Sequence, residues 1–145
     1  MNFITLSDLN TKIKDNILDD ILEYDTTGQT SGSTTLNELE QTALDEISSY
    51  VNQYYDFGLL VSRTGSTRDN FLIKMVIDIM LYELSCRLSP DNIPTIRQIR
   101  YDKVKEDLDK ISKRLIVPNW PKRDSDIQNT SEIMWDSEEK TNITW

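Results

Sequence analysis

The stretch from Phe71 to Leu84 constrains the fold of this chain more than any other. Phe71, Leu72, Ile73, Met75, Val76, Ile77, Ile79, Met80, Leu81 and Leu84 point all round a helix. Only Lys74 and Asp78, four residues apart, form a polar stripe together with Ser85. A helix that is apolar on every side has to be buried on every side. With Lys74, Asp78 and Glu83 inside it, the run is too short and too charged to span a bilayer. The spacing therefore predicts a helix from about Asp69 to Leu88, central to a bundle, to an oligomer interface, or to both.

Three further helices are legible around it. Ser7 is a good N-cap with Asp8 in the first turn, and Leu9, Ile13 and Ile17 would form the inner stripe. A second short turn over residues 16–22 adds Leu18, Ile21 and Leu22, and the Gly, Ser and Thr of residues 25–34 then read as a loop. Thr35 and Glu38 fit a capping box for the next helix. Leu36, Leu39, Ala43, Ile47, Tyr50, Val51 and Tyr54 line one face of it, against Glu38, Gln41, Asp45, Ser48 and Asn52 on the other. Its end is expected near Phe57-Gly58, where glycine can turn left-handed. A linker over residues 59–68 comes next, with a Thr-Gly-Ser-Thr turn. Pro94 is placed to open the last helix, which carries Tyr101, Val104, Leu108, Ile111 and Leu115 on one face and stops before Pro118. The fold class is all-α: a small bundle of about four helices over residues 1–117.

Residues 118–145 make an extended C-terminal tail. Beyond Trp120 they hold no sustained period and are rich in Asp, Ser, Glu, Asn and Thr. Yet Trp120, Ile133, Met134, Trp135, Ile143 and Trp145 are spaced along them. Apolar side chains in such a tail read equally as anchors that order on a partner or as incidental residues of an unstructured terminus. The last helix is the most basic element, and Arg97, Arg100 and Lys103, with Tyr54 and Tyr55, are candidates for an oligomer interface. Most of its charges are expected to be solvated or paired along the helix; the sharper reading is a positive rim meeting an acidic partner.

Chemistry is scarce. The chain has no histidine, which removes the commonest general base and zinc ligand. Its one cysteine, Cys86, sits in an apolar run and reads as a small hydrophobe. There is no Gly-rich phosphate loop and no nucleophile beside a base. Asp15, Asp19, Asp20, Glu23 and Asp25 cluster, but not in the register of a calcium loop. The sequence thus predicts no enzyme, no cofactor and no metal site. The net charge of −9 argues against general nucleic-acid binding, which needs a positive surface. The N-terminus lacks a basic, apolar leader, so a protein made in a cytoplasm and not bound to membrane is expected.

The layout carries a resemblance. A Phe3-Ile-Thr-Leu-Ser-Asp-Leu9 opening leads to Leu22-Glu-Tyr-Asp25-Thr-Thr-Gly28. Next is a helix reading Leu44-Asp-Glu-Ile-Ser-Ser-Tyr50-Val-Asn-Gln-Tyr54-Tyr. After the apolar helix comes Ile99-Arg-Tyr101-Asp-Lys-Val-Lys-Glu-Asp-Leu108-Asp-Lys-Ile. Over residues 3–116 this resembles the head-tail connector, or adaptor, proteins of tailed bacteriophages, particularly the Mu-like Gp36 family. It departs from them where Gln53-Tyr54-Tyr55 replaces an Arg-Tyr pair, and in the length of the tail after Trp120.

The resemblance implies a structural virion protein at the head-tail interface, made in the host cytoplasm. It would be a helical subunit forming a homo-oligomeric ring, usually a dodecamer, between portal and tail or stopper proteins. The ring would continue the DNA ejection channel, with DNA passing through an acidic lumen without sequence-specific binding, and the tail would be the portal-binding element. Two other readings stand beside it: a tail-terminator or stopper subunit, which would be richer in strands, and a small helical regulatory or inhibitor module.

Overall fold

The computed structural model describes residues 1–14, 17–19 and 32–123. Among them the longer elements are α1 (Leu6–Asn10), α2 (Gly32–Val51), α3 (Phe57–Val61), α4 (Asn70–Leu88) and α5 (Thr95–Ser112). A 3-10 turn spans Gly65–Thr67. The described residues contain no strand, only an isolated bridge between Tyr55 and Lys122. The all-α fold class stands, with α2, α4 and α5 packed mutually and α1 laid against α4.

The apolar helix is the centre of this bundle. Asp69 caps it by accepting the Leu72 N–H at 2.8 Å, so the helix starts where the acid before the apolar run would put it. Leu72, Met75, Val76, Ile77, Ile79, Met80, Leu81 and Leu84 are all buried within the single chain. α2 contributes Leu36, Leu39, Ala43, Ile47 and Val51, its expected inner stripe, while Tyr50 and Tyr54 are partly buried at its edge. α5 contributes Val104, Leu108 and Ile111. Each such Leu or Ile stabilises the fold by roughly 1.5–3 kcal/mol relative to its exposed state.

Several boundaries differ from the sequence expectation. α1 is capped by Thr5 rather than Ser7. Asp8 Oδ2 takes the Thr5 N–H at 2.8 Å, and Thr5 Oγ1 accepts the Asp8 N–H at 3.2 Å, a reciprocal capping box. Leu9, Ile13 and Leu18 are buried, but Ile17 is exposed. α2 begins at Gly32, inside the expected loop, and Thr35 is a buried residue within the helix, not its cap. Residues 20–31 lie outside the described set, and with them most of the expected acidic cluster.

α2 also ends earlier, at Val51. Just past that end the returning chain takes two carbonyls: Arg123 Nη1 donates to the Asn52 carbonyl at 2.7 Å, and the Arg123 N–H to that of Tyr54 at 3.2 Å. Asp56 then caps α3 through the Leu59 N–H at 2.9 Å, and Gly58 lies inside that short helix. The left-handed glycine is Gly65 (φ 58°), in the turn before α4. α5 closes at Ser112 with a left-handed residue that is not glycine, Arg114 (φ 58°). The last residue expected on its inner face, Leu115, therefore lies past the helix and is 72% exposed.

Candidate interaction surface

After α5 the chain folds back instead of leaving the bundle. Trp120, expected among the tail anchors, is 4% exposed in the chain's own core. Its ring meets Tyr55 edge-on at 5.5 Å and Phe71 at 6.2 Å between centroids. An indole held this way is not free to anchor on a partner, which corrects the expectation for this residue. Tyr55 is likewise buried, so it lies behind any subunit interface rather than on one. Both are placed by backbone pairing, in which the Asp56 N–H donates to the Pro121 carbonyl at 2.8 Å. Ile133, Met134, Trp135, Ile143 and Trp145 lie outside the described residues.

The Phe71 ring also lines a cleft of about 150 Å³ between α4 and α5. Lys12, Lys74, Met75, Asp78, Arg100, Lys103, Val104 and Asp107 complete its wall. Of the polar stripe expected on the apolar helix, Lys74 is exposed but Asp78 is only 3% exposed. Its Oδ1 has no hydrogen-bond partner. Arg100 Nη1 lies 4.0 Å away, close enough to attract but too far to donate a hydrogen bond.

Of the basic residues expected at an interface, Arg97 is half-buried beside this pair. Burial pulls its pKa down, as does the neighbouring Arg100 charge, while Asp78 opposes the shift. Lys103 is exposed and bridges Asp107 at 3.0 Å and Glu106 at 3.3 Å. Those two hydrogen bonds push its pKa up. Tyr54 is partly buried, with the Arg114 guanidinium 3.9 Å above its ring. The structure therefore brings Arg97, Arg100 and Lys103 together along α5, and separates them from Tyr54 and Tyr55. On the same helix Ile96 and Ile99 are exposed, so apolar and basic side chains share its outer surface.

A polar network the sequence did not announce ties α2 to α5. Glu46 accepts from the Tyr101 hydroxyl at 3.0 Å and from Lys105 Nζ at 2.6 Å. Tyr101 stacks on Tyr82 with centroids 4.0 Å apart and planes 7° from parallel. Lys105 also lies 5.0 Å from the centre of the Tyr50 ring. The only available signal was the Tyr-x-x-x-Lys spacing on α5, which places both side chains on one face.

Among the described residues no group of three or more His, Cys, Asp or Glu is arranged to hold a metal ion, and no helix is long and apolar enough to cross a membrane. What this surface can do is bind: it offers an apolar floor, fixed cations and a buried acceptor without a donor. Compared with known family models, curated proteins and solved structures, the chain matches none.

Proposed function

We propose that this chain is a structural adaptor subunit of a tailed-phage head-tail connector, assembling with copies of itself into a ring between portal and tail. One observation carries the reading. The central helix buries most of its apolar side chains within its own chain, yet Ile96 and Ile99 on α5 remain exposed beside Arg100 and Lys103. A self-contained helical body with an apolar and basic strip on one edge suits repeated subunit contacts, in which one face meets a different face of the next copy. Burying the two isoleucines would contribute roughly 1.5–3 kcal/mol each per contact. The acidic remainder of the surface suits a channel through which DNA slides without sticking. The lack of strands among the described residues weighs against the stopper alternative.

The test is the mass of the full chain in solution, alone and mixed with its portal, compared with an Ile96→Asp, Ile99→Asp variant. Ring-sized assembly that the variant loses supports the adaptor reading. A monomer that ignores the portal in both forms overturns it and leaves a helical regulatory module as the better account.

A further inference from the structure

Three facts converge on the α4–α5 cleft. First, its polar lining is mostly basic, in a chain whose net charge is −9: Lys12, Lys74, Arg100 and Lys103 stand against Asp78 and Asp107. Lys103 is engaged with Asp107, whereas Lys12 and Lys74 form no ion pair among the described residues. Second, Asp78 is buried with one carboxylate oxygen lacking a donor. An orphaned buried acceptor is costly, so an occupant bringing an N–H would relieve it. Third, the described chain ends at Arg123, three residues after Trp120. Trp120 packs on Phe71, and Phe71 lines the cleft.

The segment beyond Arg123 has complementary chemistry. Residues 124–145 hold Asp124, Asp126, Glu132, Asp136, Glu138 and Glu139 against a single cation, Lys140. They also hold Trp135 and Trp145, each an apolar body with one N–H donor. We propose that the α4–α5 cleft is the receptor for residues 124–145 of the same chain. Carboxylates of the segment meet Lys12, Lys74 and Arg100, apolar side chains cover Phe71, Met75 and Val104, and an indole or amide N–H reaches Asp78. Tethering favours this occupant, because a segment joined to the fold a few residues from its receptor binds at high effective concentration. The contact is a property of the chain itself and does not depend on the adaptor reading. If that reading holds, the segment is sheltered until a partner displaces it.

The test uses the full chain with a zero-length carbodiimide, which joins a carboxylate to a lysine amine only where the two touch. The reaction is run on an equal mixture of unlabelled and nitrogen-15-labelled protein and read by peptide mass spectrometry. The expected result is a link from Lys12 or Lys74 to residues 124–139, within one isotopic species, that disappears in high salt. Arg100→Glu should abolish it without removing either lysine. Because that change also touches the Asp78 pair, Trp135→Ala with Trp145→Ala serves as a second variant, and it too should lose the link. Links of mixed isotope would overturn the proposal by assigning the segment to a neighbouring copy. Links absent from Lys12 and Lys74, or indifferent to both variants, would overturn it as well.

Discussion

The carboxylate of Glu40 accepts the backbone N–H of Ile4 at 2.6 Å, across 36 residues of chain. The same side chain takes the N–H groups of Phe3 at 2.9 Å and Asn2 at 2.7 Å. Glu40 is thus the buried acid of α2 that stitches the N-terminal segment onto the bundle, letting Phe3 and Ile4 bury beside it. Three donors on one acid explain how a carboxylate can sit in the core at all.

Glu40→Ala should therefore cost about 2–3 kcal/mol, since buried amides left without an acceptor cost about 1–3 kcal/mol each unless the segment peels into water. Glu40→Gln keeps one acceptor oxygen and should cost less, about 1 kcal/mol. Urea unfolding measures both. Equal losses for the two variants would show that the segment is held by its apolar side chains alone.

A second acid fixes the same end of the molecule and makes it sensitive to pH. Asp8 closes the α1 capping box and meets Arg68 at 2.6 Å, while Arg68 Nη1 also donates to the Phe3 carbonyl at 2.6 Å. Burial pushes the Asp8 pKa up, but the hydrogen bonds from Arg68 and Thr5, with the Arg68 charge, outweigh it and hold it below the ordinary 3.8. A depressed carboxylate pKa stabilises the fold above 3.8 and loses that contribution as pH falls through the folded value. Asp8→Asn should be less stable than the parent at pH 7 by about 1 kcal/mol, and the gap should close in acid below pH 3.8. Thermal unfolding of both proteins across that range checks it; a gap that persists in acid would point to packing, not charge.

The features that could be read in advance were those set by neighbours in sequence. The start of α4 follows from Asp69 and the apolar run behind it, and the inner stripe of α2 follows from helical spacing. What could not be read depends on residues far apart. Trp120 in a Pro-flanked stretch has the signature of a partner anchor, but Tyr55 and Phe71 arrive from distant parts of the chain to cover it. Asp78 shares the polar stripe of its helix with Lys74, yet the approach of α5 buries Asp78 opposite Arg100. The end of α2 was misplaced for the same reason, because the turn just past it is held through the Asn52 and Tyr54 carbonyls by Arg123, far along the chain. The basic strip of α5 was legible as a charge pattern; the cleft beside it was not, because half of its wall belongs to α4 and to Lys12, just past α1.

The Glu46 network predicts an alkaline transition. Burial raises the Tyr101 pKa, the Glu46 hydrogen bond and charge raise it further, and the result is a phenol pushed up to about 12 from 10.0. A raised phenol pKa contributes stability that is complete below pH 10.0 and is lost as pH climbs towards 12. Tyrosinate absorbance should accordingly show Tyr101 ionising late. Glu46→Gln should move that step towards 10.0 and cost about 1 kcal/mol near neutrality through the weakened bonds to Tyr101 and Lys105. A late step unmoved by the substitution would assign it to another tyrosine. Tyr82 is the alternative, since its own pKa is raised, first by a hydrogen bond with Cys86.

The end of α5 sets up the last prediction, because Arg114 occupies a place where glycine is ordinarily favoured. The Leu115 N–H reaches the Lys110 carbonyl at 2.8 Å and the Arg114 N–H that of Ile111 at 3.0 Å, a closing motif that requires the left-handed backbone of Arg114. That conformation costs a side-chain-bearing residue roughly 1–2 kcal/mol. The guanidinium 3.9 Å above the Tyr54 ring offsets it by about 0.5–2 kcal/mol. Arg114→Gly removes both effects, so its net change should stay within about 1 kcal/mol of zero. Tyr54→Leu should then destabilise the parent more than it destabilises the Arg114→Gly background, with a coupling of about 0.5–1 kcal/mol in a double-mutant cycle. The cycle also separates two roles for Tyr54, since a ring covered by its own chain should affect unfolding midpoints independently of protein concentration. A loss that grows on dilution would instead return Tyr54 to the subunit interface.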